Sequence, residues 1–543
     1  MTCPACGEDL GPTPVACRAC GPVPPTPAPA GFVSPGEYLA RTGREPVAQY
    51  APVQYAPVPP ASLTPPPAWT PPPPPPPPPP PRKGRVLPVI VLALALVITG
   101  GGVAAAGYHF GWFGDRTSPS MVVPASAVSY VQLDLDPSLV QKASAWQFLR
   151  ELPQVRDAAA SGQPDPKAIG WSLLADLPGN PLKGIDYERD VKPWIGHRIA
   201  AALVPRSGDQ PAPLLAVQVT DEAKAGEALR DWSNRAEEEY DVTLRAGYAL
   251  LTSRDDTGFL LGELAAGSLS ANPSFAADFP PAADAGILAG WLDLGAAAKL
   301  GASPTAPDAV KGRCVFSLAF TPDSMVLSGT VTGMEDGGVT GVVDLGELPG
   351  STGGGLGFAG GGAAVQRLLP ELGPQAIETL QQAGLDEGDL VALLGRSVSV
   401  GVAGFAAAEE PGGFPDVGVR IESDDPERAR AALDKLFGDE NGMFPINATV
   451  EGDVLLVSTS GVYLEQLAHP VSRLSAQERF TRSVPDHATA SVAAWLDLAP
   501  PLAHQAGASA EYRDFLGALQ GLGATYVADG AGSGSWSVRL VRS

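Results

Sequence analysis

The chain has 543 residues, a formal net charge of −23 and five cysteines. Residues 117–543 hold 29 basic and 54 acidic side chains, and a surface that acidic repels phosphate backbones, which excludes nucleic-acid binding by that part. Four cysteines fall within the first 20 residues and only Cys314 lies beyond them, so the large remainder has no intrachain disulfide and must rely on an apolar core.

In chain order, Cys3-Pro4-Ala5-Cys6-Gly7 and Cys17-Arg18-Ala19-Cys20-Gly21 form two C-x-x-C knuckles with ten residues between Cys6 and Cys17. Tetrahedral zinc takes four thiolates, and each C-x-x-C turn brings two sulfurs together. Gly7 and Gly21 suit the left-handed turn after each pair. Residues 1–21 are therefore expected to form a zinc ribbon with Cys3, Cys6, Cys17 and Cys20 as ligands. The segment resembles the short ribbons at the N-termini of many bacterial membrane proteins. A redox dithiol is the alternative, but it would need only one C-x-x-C. With all four positions filled by protein, the zinc would be structural and leave no open site for catalysis.

Residues 22–85 read as a proline-rich, disordered linker. Pro71–Pro81 is an unbroken run of eleven prolines, and as polyproline II at about 3.1 Å per residue it would be a stiff rod of roughly 34 Å. Gln49-Tyr50-Ala51-Pro52-Val53 repeats at once as Gln54-Tyr55-Ala56-Pro57-Val58. A spacer is the simpler reading. A docking tract for a proline-reading or tyrosine-modifying protein is the alternative.

Val86–Gly107 is a nearly uncharged apolar run directly behind Arg82, Lys83 and Arg85. At about 1.5 Å per residue it reaches roughly 33 Å, enough for a hydrocarbon core of about 30 Å. Tyr108, Trp112 and Phe113 follow as an aromatic belt. Residues 86–113 are thus expected to be one transmembrane helix and its interface. The basic flank puts the N-terminus in the cytoplasm and residues 117–543 outside. A cleaved signal peptide would start near residue 1 instead.

Internal self-similarity organises the rest. Leu269-Ser270-Ala271 with Phe275 and Pro280 matches Leu474-Ser475-Ala476 with Phe480 and Pro485. Trp291-Leu292-Asp293-Leu294 matches Trp495-Leu496-Asp497-Leu498, Gly184-Ile185-Asp186 matches Gly384-Leu385-Asp386, Gly247 with Leu250-Leu251 matches Gly452 with Leu455-Leu456, and Val140-Gln141-Lys142 matches Val365-Gln366-Arg367. Two copies are expected, at 117–340 and 345–543. In each, an alternating strand (Leu214–Val219; 415–421) precedes a helical pattern (Ala228, Leu229, Trp232; Ala432, Leu433, Leu436). Asp425-Pro426 would cap and start the second of these helices. A further strand follows (Leu250–Ser253; Leu455–Ser458). Each copy closes on a hairpin, Val315–Phe320 with Met325–Thr330 and Thr525–Ala528 with Trp536–Val541. The expected fold class is α+β: two tandem related repeats of mixed antiparallel sheet and helices outside, one transmembrane helix, and a short zinc ribbon inside.

Tyr130-Val131-Gln132-Leu133-Asp134-Leu135 echoes both Trp-Leu-Asp-Leu segments, and all three precede a helix-like stretch. The fourth such segment, expected around Phe358, is replaced by glycines, so the pattern alone does not predict the opening strand of the second copy. On Pro124-Ala125-Ser126-Ala127-Val128-Ser129-Tyr130-Val131-Gln132-Leu133-Asp134-Leu135-Asp136-Pro137 and the later Leu-Asp-Leu segments, the region resembles a bacterial family known only as domain of unknown function 3352. The resemblance implies a membrane-anchored extracytoplasmic domain and carries no reaction and no catalytic residues.

Little else points to chemistry. Asp134, Asp293 and Asp497 recur at one position, and Asp134 with Asp136 gives D-x-D. Calcium needs six to eight oxygens that the other two sites do not supply, so a structural hydrogen bond or helix start is expected there. Gly355-Leu356-Gly357-Phe358-Ala359-Gly360 fits the dinucleotide fingerprint, but it aligns with a strand of the other copy rather than a turn. His109, His197, His469, His487 and His504 show no zinc-protease spacing, and no G-x-S-x-G elbow is present. Cys314 sits in a predicted strand and is expected to be a buried structural thiol. Glu237-Glu238-Glu239 reads as a solvated helix face. These readings favour a non-enzymatic single-pass envelope protein without catalytic or cofactor residues other than structural zinc. Its outer part would bind an envelope protein, a polymer or an apolar ligand, and its ribbon or linker would bind a cytoplasmic protein. The alternatives are an extracytoplasmic hydrolase using acidic residues and a transmembrane signal transmitter.

Overall fold

The computed structural model describes Ala16, Cys17, Gly21 and Pro22, and residues 118–543 apart from 153–154, 157–159, 161–166, 169–185, 207–209, 236–239, 280–285, 301–310, 335–340, 370–373, 404–415, 438–445, 500–512 and 531. The predicted span, the linker, His109, His504 and Glu237–Glu239 lie outside the described residues. Among the described residues no helix is long and apolar enough to cross a membrane.

The chain divides into two units, residues 1–80 and 81–543. In the first, β1 (Ala16–Cys17) and β2 (Gly21–Pro22) pair antiparallel, with Cys17 opposite Gly21.

The second unit begins with β3 (Ser129–Asp134), α1 (Leu139–Leu149), β4 (Ile195–Val204), β5 (Ala212–Val219), α2 (Glu222–Arg235), β6 (Tyr240–Arg245) and β7 (Tyr248–Ser253). It continues with α3 (Arg254–Ala266), α4 (Pro273–Asp278), β8 (Leu288–Asp293), α5 (Leu294–Ala298), β9 (Arg313–Phe320) and β10 (Ser324–Thr332). The later half runs β11 (Thr352–Ala359), α6 (Gly361–Leu368), α7 (Pro374–Gln382), α8 (Glu387–Leu394), β12 (Ser397–Ala403), β13 (Val417–Glu422), α9 (Pro426–Phe437) and β14 (Asn447–Glu451). It ends with β15 (Val454–Ser458), α10 (Gly461–Ala468), α11 (Glu478–Ser483), β16 (Val492–Asp497), α12 (Arg513–Ala518), β17 (Leu519–Ala528) and β18 (Gly534–Arg542).

The fold is α+β on one large antiparallel sheet. Sixteen described strands lie in the order β14-β15-β13-β12-β11-β16-β17-β18-β10-β9-β8-β3-β4-β5-β7-β6. Adding eight to each label of the earlier half gives the order of the later half, read from the opposite edge. The last strand of each half pairs with the other, Ser324 opposite Val541 through Val331 opposite Gly534. The halves are therefore one sheet, not two separately closed domains. The glycine-rich opening segment of the later half is a strand after all. β11 lies between β12 and β16, and Gly355 and Gly357 leave room for Leu345, Leu348 and Val343 packed on them.

Helices cover the sheet on both faces. In the earlier half, α1 and α2 place Phe148, Ala225 and Leu229 on Leu133, Val217 and Leu288. On the opposite face α3 and α4 place Leu260, Leu264 and Phe275 on Tyr130, Leu250 and Trp291. The later half repeats this with α8 and α9 on Val398 and Leu455, and with α10 and α11 on Leu456 and Trp495. Local signals set the elements. Asp425 accepts from Arg428 N, and Pro426 opens α9 as its fixed φ and missing N–H suit. The β6–β7 and β14–β15 hairpins turn on Gly247 and Gly452, both at positive φ, as two-residue hairpins demand.

The halves also lock through side chains. Arg542 on β18 is buried; its guanidinium donates to the Phe148 and Gln147 carbonyls at the end of α1 and pairs with Glu151 at 2.7 Å. A cation there satisfies the orphan carbonyls of a helix C-terminus. Arg482 reaches Asp323 at 2.8 Å in the same way. Arg542→Ala should therefore lower the unfolding free energy by about 3 kcal/mol, since it strands buried acceptors; urea titration should show a lower midpoint with an unchanged slope. Ala246 holds φ 51° in the β6–β7 turn, where an L side chain is strained by roughly 1 kcal/mol or more. Ala246→Gly should raise stability by about 0.5 kcal/mol by the same measurement, the relief outweighing glycine's entropy.

Candidate functional site

The recurring aspartates do local work. Asp293 caps α5 by accepting from Ala296 N at 2.9 Å. Asp134 accepts from Asp136 N at 2.8 Å, and Asp497 from Ala499 N at 3.1 Å while pairing with Arg479. The helix-start role read from the sequence thus holds for Asp293, and all three carboxylates serve backbone turns. In the D-x-D pair, Lys142 pairs with Asp136 and supplies the cation there. Among the described residues no group of three or more His, Cys, Asp or Glu is arranged to hold a metal. Cys3, Cys6 and Cys20 lie outside the described residues, so this does not bear on the N-terminal thiols. Cys314 is half-buried rather than fully buried; desolvation raises its thiol pKa above the ordinary value, which disfavours the reactive thiolate.

Two polar arrangements escaped the sequence reading. Asp389, 3% exposed, receives Lys435 at 2.7 Å and Arg428 at 3.0 Å. Lys435 foremost, then Arg428, hold its carboxyl down to about 2 from an ordinary 3.8. It fixes α8 against α9 and is structural. The signal in the sequence was present but ambiguous, because α8 offers two acids and α9 three bases with nothing to say which pair. The second is an open polar cleft of about 420 Å³ beside α11, lined by Gln477, Arg479, Arg482, Gln520 and Ser543 among others. Its two arginines are engaged by Asp497 and Asp323, so it presents no free cation pair. His487 bonds Asp344 at 2.9 Å.

One face of the central sheet is apolar across several strands and only part of it is covered by the α1 core. Residues opposite each other in antiparallel strands share a face. On one face, a first row runs Leu496, Leu522, Leu540, Met325 and Phe320. The next runs Leu356, Ala494, Ala524, Val538, Leu327 and Leu318. The third runs Val492, Tyr526, Trp536, Gly329 and Phe316. The reverse face of the same central strands mixes Ser317, Ser328, Thr330, Ser535 and Ser537 with Val315, Val326, Trp495 and Val541. An alternating strand normally packs its apolar side and wets the other. Here Phe320, Leu318, Phe316, Met325, Leu327 and Leu540 meet the α1 core, whereas Leu356 is 51% and Leu522 37% exposed. Leu496, Ala494, Ala524, Val538, Tyr526 and Trp536 between them are half-buried.

The described residues form an antiparallel α+β domain with an apolar sheet face left partly open. Residues 89–258 match the model of a family described as protein of unknown function (DUF3352). The resemblance read from Pro124–Pro137 is thus shown over a stretch that begins inside the predicted span and ends in α3. No curated protein and no solved structure matches the chain.

The Asp389 carboxyl gives a pH test. Its folded pKa lies below the unfolded value, so its stabilising contribution is complete above pH 3.8 and is lost as pH falls through about 2. Asp389→Asn should therefore flatten the acid limb of the stability profile between those values, read as urea midpoints at each pH.

Proposed function

We propose that this chain is a single-pass protein of the cytoplasmic membrane, with its N-terminus inside and residues 117–543 outside as a non-catalytic binding or scaffold domain. The observation that carries the reading is the partly open apolar sheet face, which suits an apolar ligand or a partner and no polar substrate. The capping of backbone groups by Asp134, Asp293 and Asp497 counts against scattered carboxylates acting as a hydrolase. We read residues 117–340 and 345–543 as copies of one ancestral unit; the shared strand order and the matched segments support this. Trp291 and Trp495, and Asp186 and Asp386, fall at like places and the two aspartates make like caps.

On the inner side, Cys3, Cys6, Cys17 and Cys20 would hold one structural zinc; the strand pair flanking Cys17 supports a knuckle. Four thiolates suit zinc in both charge and softness. Beyond it, the ribbon and the proline-rich linker are surfaces for a cytoplasmic protein.

Protease added to intact cells should remove the body that starts at residue 118 and spare an N-terminal fragment carrying the ribbon. The purified chain should hold one zinc, and Cys17→Ser should lower zinc affinity at least tenfold in a chelator competition. A body untouched by protease in intact cells, yet digested after lysis, would refute the orientation.

A further inference from the structure

The two halves treat the same place on the apolar face differently. In the earlier half, Gly290 on β8 lies opposite Phe316 on β9, one residue before Trp291. A side chain on Gly290 would overlap the Phe316 ring, so that ring lies on the glycine and fills the surface. In the later half, one residue before Trp495, the pair is Ala494 on β16 opposite Ala524 on β17. Neither residue of this pair carries a ring. The two alanines floor a shallow trough that runs across the strands at about 4.8 Å per strand. Leu496 and Leu522 wall it on one side and Val492 and Tyr526 on the other, since residues two apart on a strand share a face. Leu356 and Val538 stand at its ends.

A shallow trough walled by leucine, valine and the Tyr526 ring matches a single polymethylene chain, which needs no hydrogen bond and gains about 0.8 kcal/mol per buried CH₂. The source of such a chain is close. Ten residues separate Gly107, the end of the predicted span, from Ser118; fully extended they reach no more than roughly 36 Å. With the anchoring proposed above, Ser118 is held within roughly that distance of the bilayer.

We infer that the trough over Ala494 and Ala524 binds one acyl chain of a membrane-derived lipid. The inference rests on the proposed membrane anchoring and adds to it the ligand class and the place. It also accounts for Leu356 and Leu522, which would otherwise hold their apolar surface in water.

Cells producing the full-length chain would be fed a palmitic acid analogue carrying a diazirine, irradiated, and the adducts mapped by peptide mass spectrometry. Adducts are expected at residues 492–496 and 522–526, and within 86–107. Ala494→Gly together with Ala524→Phe, which reproduces the glycine and ring of the earlier half, should cut the trough adducts at least tenfold and leave those in 86–107 unchanged. Leu522→Asn should do the same; the position is exposed enough that the fold tolerates it, and an unchanged urea midpoint verifies that. Adducts in 86–107 with none in the trough would overturn the inference while leaving the anchor standing. Adducts in neither would overturn both, and trough adducts that persist in both variants would overturn the inference alone. A photoreactive leucine at 522 that joins two copies of the chain would give the face to a second copy and likewise overturn it.

Discussion

The structure depends on the antiparallel pairing of β10 with β18. Eight opposed positions, from Ser324 with Val541 to Val331 with Gly534, fuse the halves into one sheet. Because side chains alternate faces, a slip of one residue at this seam would exchange Leu327 and Val538 for Ser328 and Ser537 and turn every later strand over. The seam thus fixes which face of the later half is apolar, and Arg542 and Arg482 pin it from the two sides.

Differences between the halves come in matched groups. In the earlier half Asp278 receives Arg313 at 2.5 Å and the Trp291 indole at 3.3 Å. In the later half the aspartate's place is taken by Ser483 and the arginine's by Gly521, whose added carbon would crowd Ser483 and lie 3.4 Å from the Trp495 indole. The later half has neither the charge nor the counter-charge, where either alone would be a part-buried unpaired ion. The Trp495 indole N–H, among the described residues, is left without an acceptor. The exchange of Gly290 and Phe316 for Ala494 and Ala524 belongs to the same pattern: volume moved between opposed positions rather than at one alone.

Much of this was legible in the sequence where the pattern was local. The strands around Leu214, Leu250 and Leu455, the helices at Ala228 and Ala432, the Asp425-Pro426 start and both closing hairpins depend on period and turn residues, and they lie where the pattern puts them. β11 was not legible, because its glycines answer to Val343, Leu345 and Leu348 from elsewhere in the chain. The single sheet was not legible either: a hairpin signal names its own partner, and nothing in it says that β10 will take β18 over a separation of some two hundred residues. The face rows share that origin. Each strand shows its own alternation, but the trough takes shape only once four strands are placed side by side. Asp389 with Lys435 and Arg428 was hidden among many similar charges.

The position of Arg542 has a bearing on how the molecule comes into being. Its guanidinium closes a helix that was made some four hundred residues earlier, and Leu519 and Leu540 complete the hydrophobic cluster around that helix. A polypeptide delivered N-terminus first, at about 5–20 residues per second, must wait tens of seconds with α1 unsealed and β10 as a bare edge. Native-like strands of other nascent chains can dock on such an edge. The organism must either shield this intermediate or keep its concentration low, and a fragment ending before β17 would hold it open indefinitely.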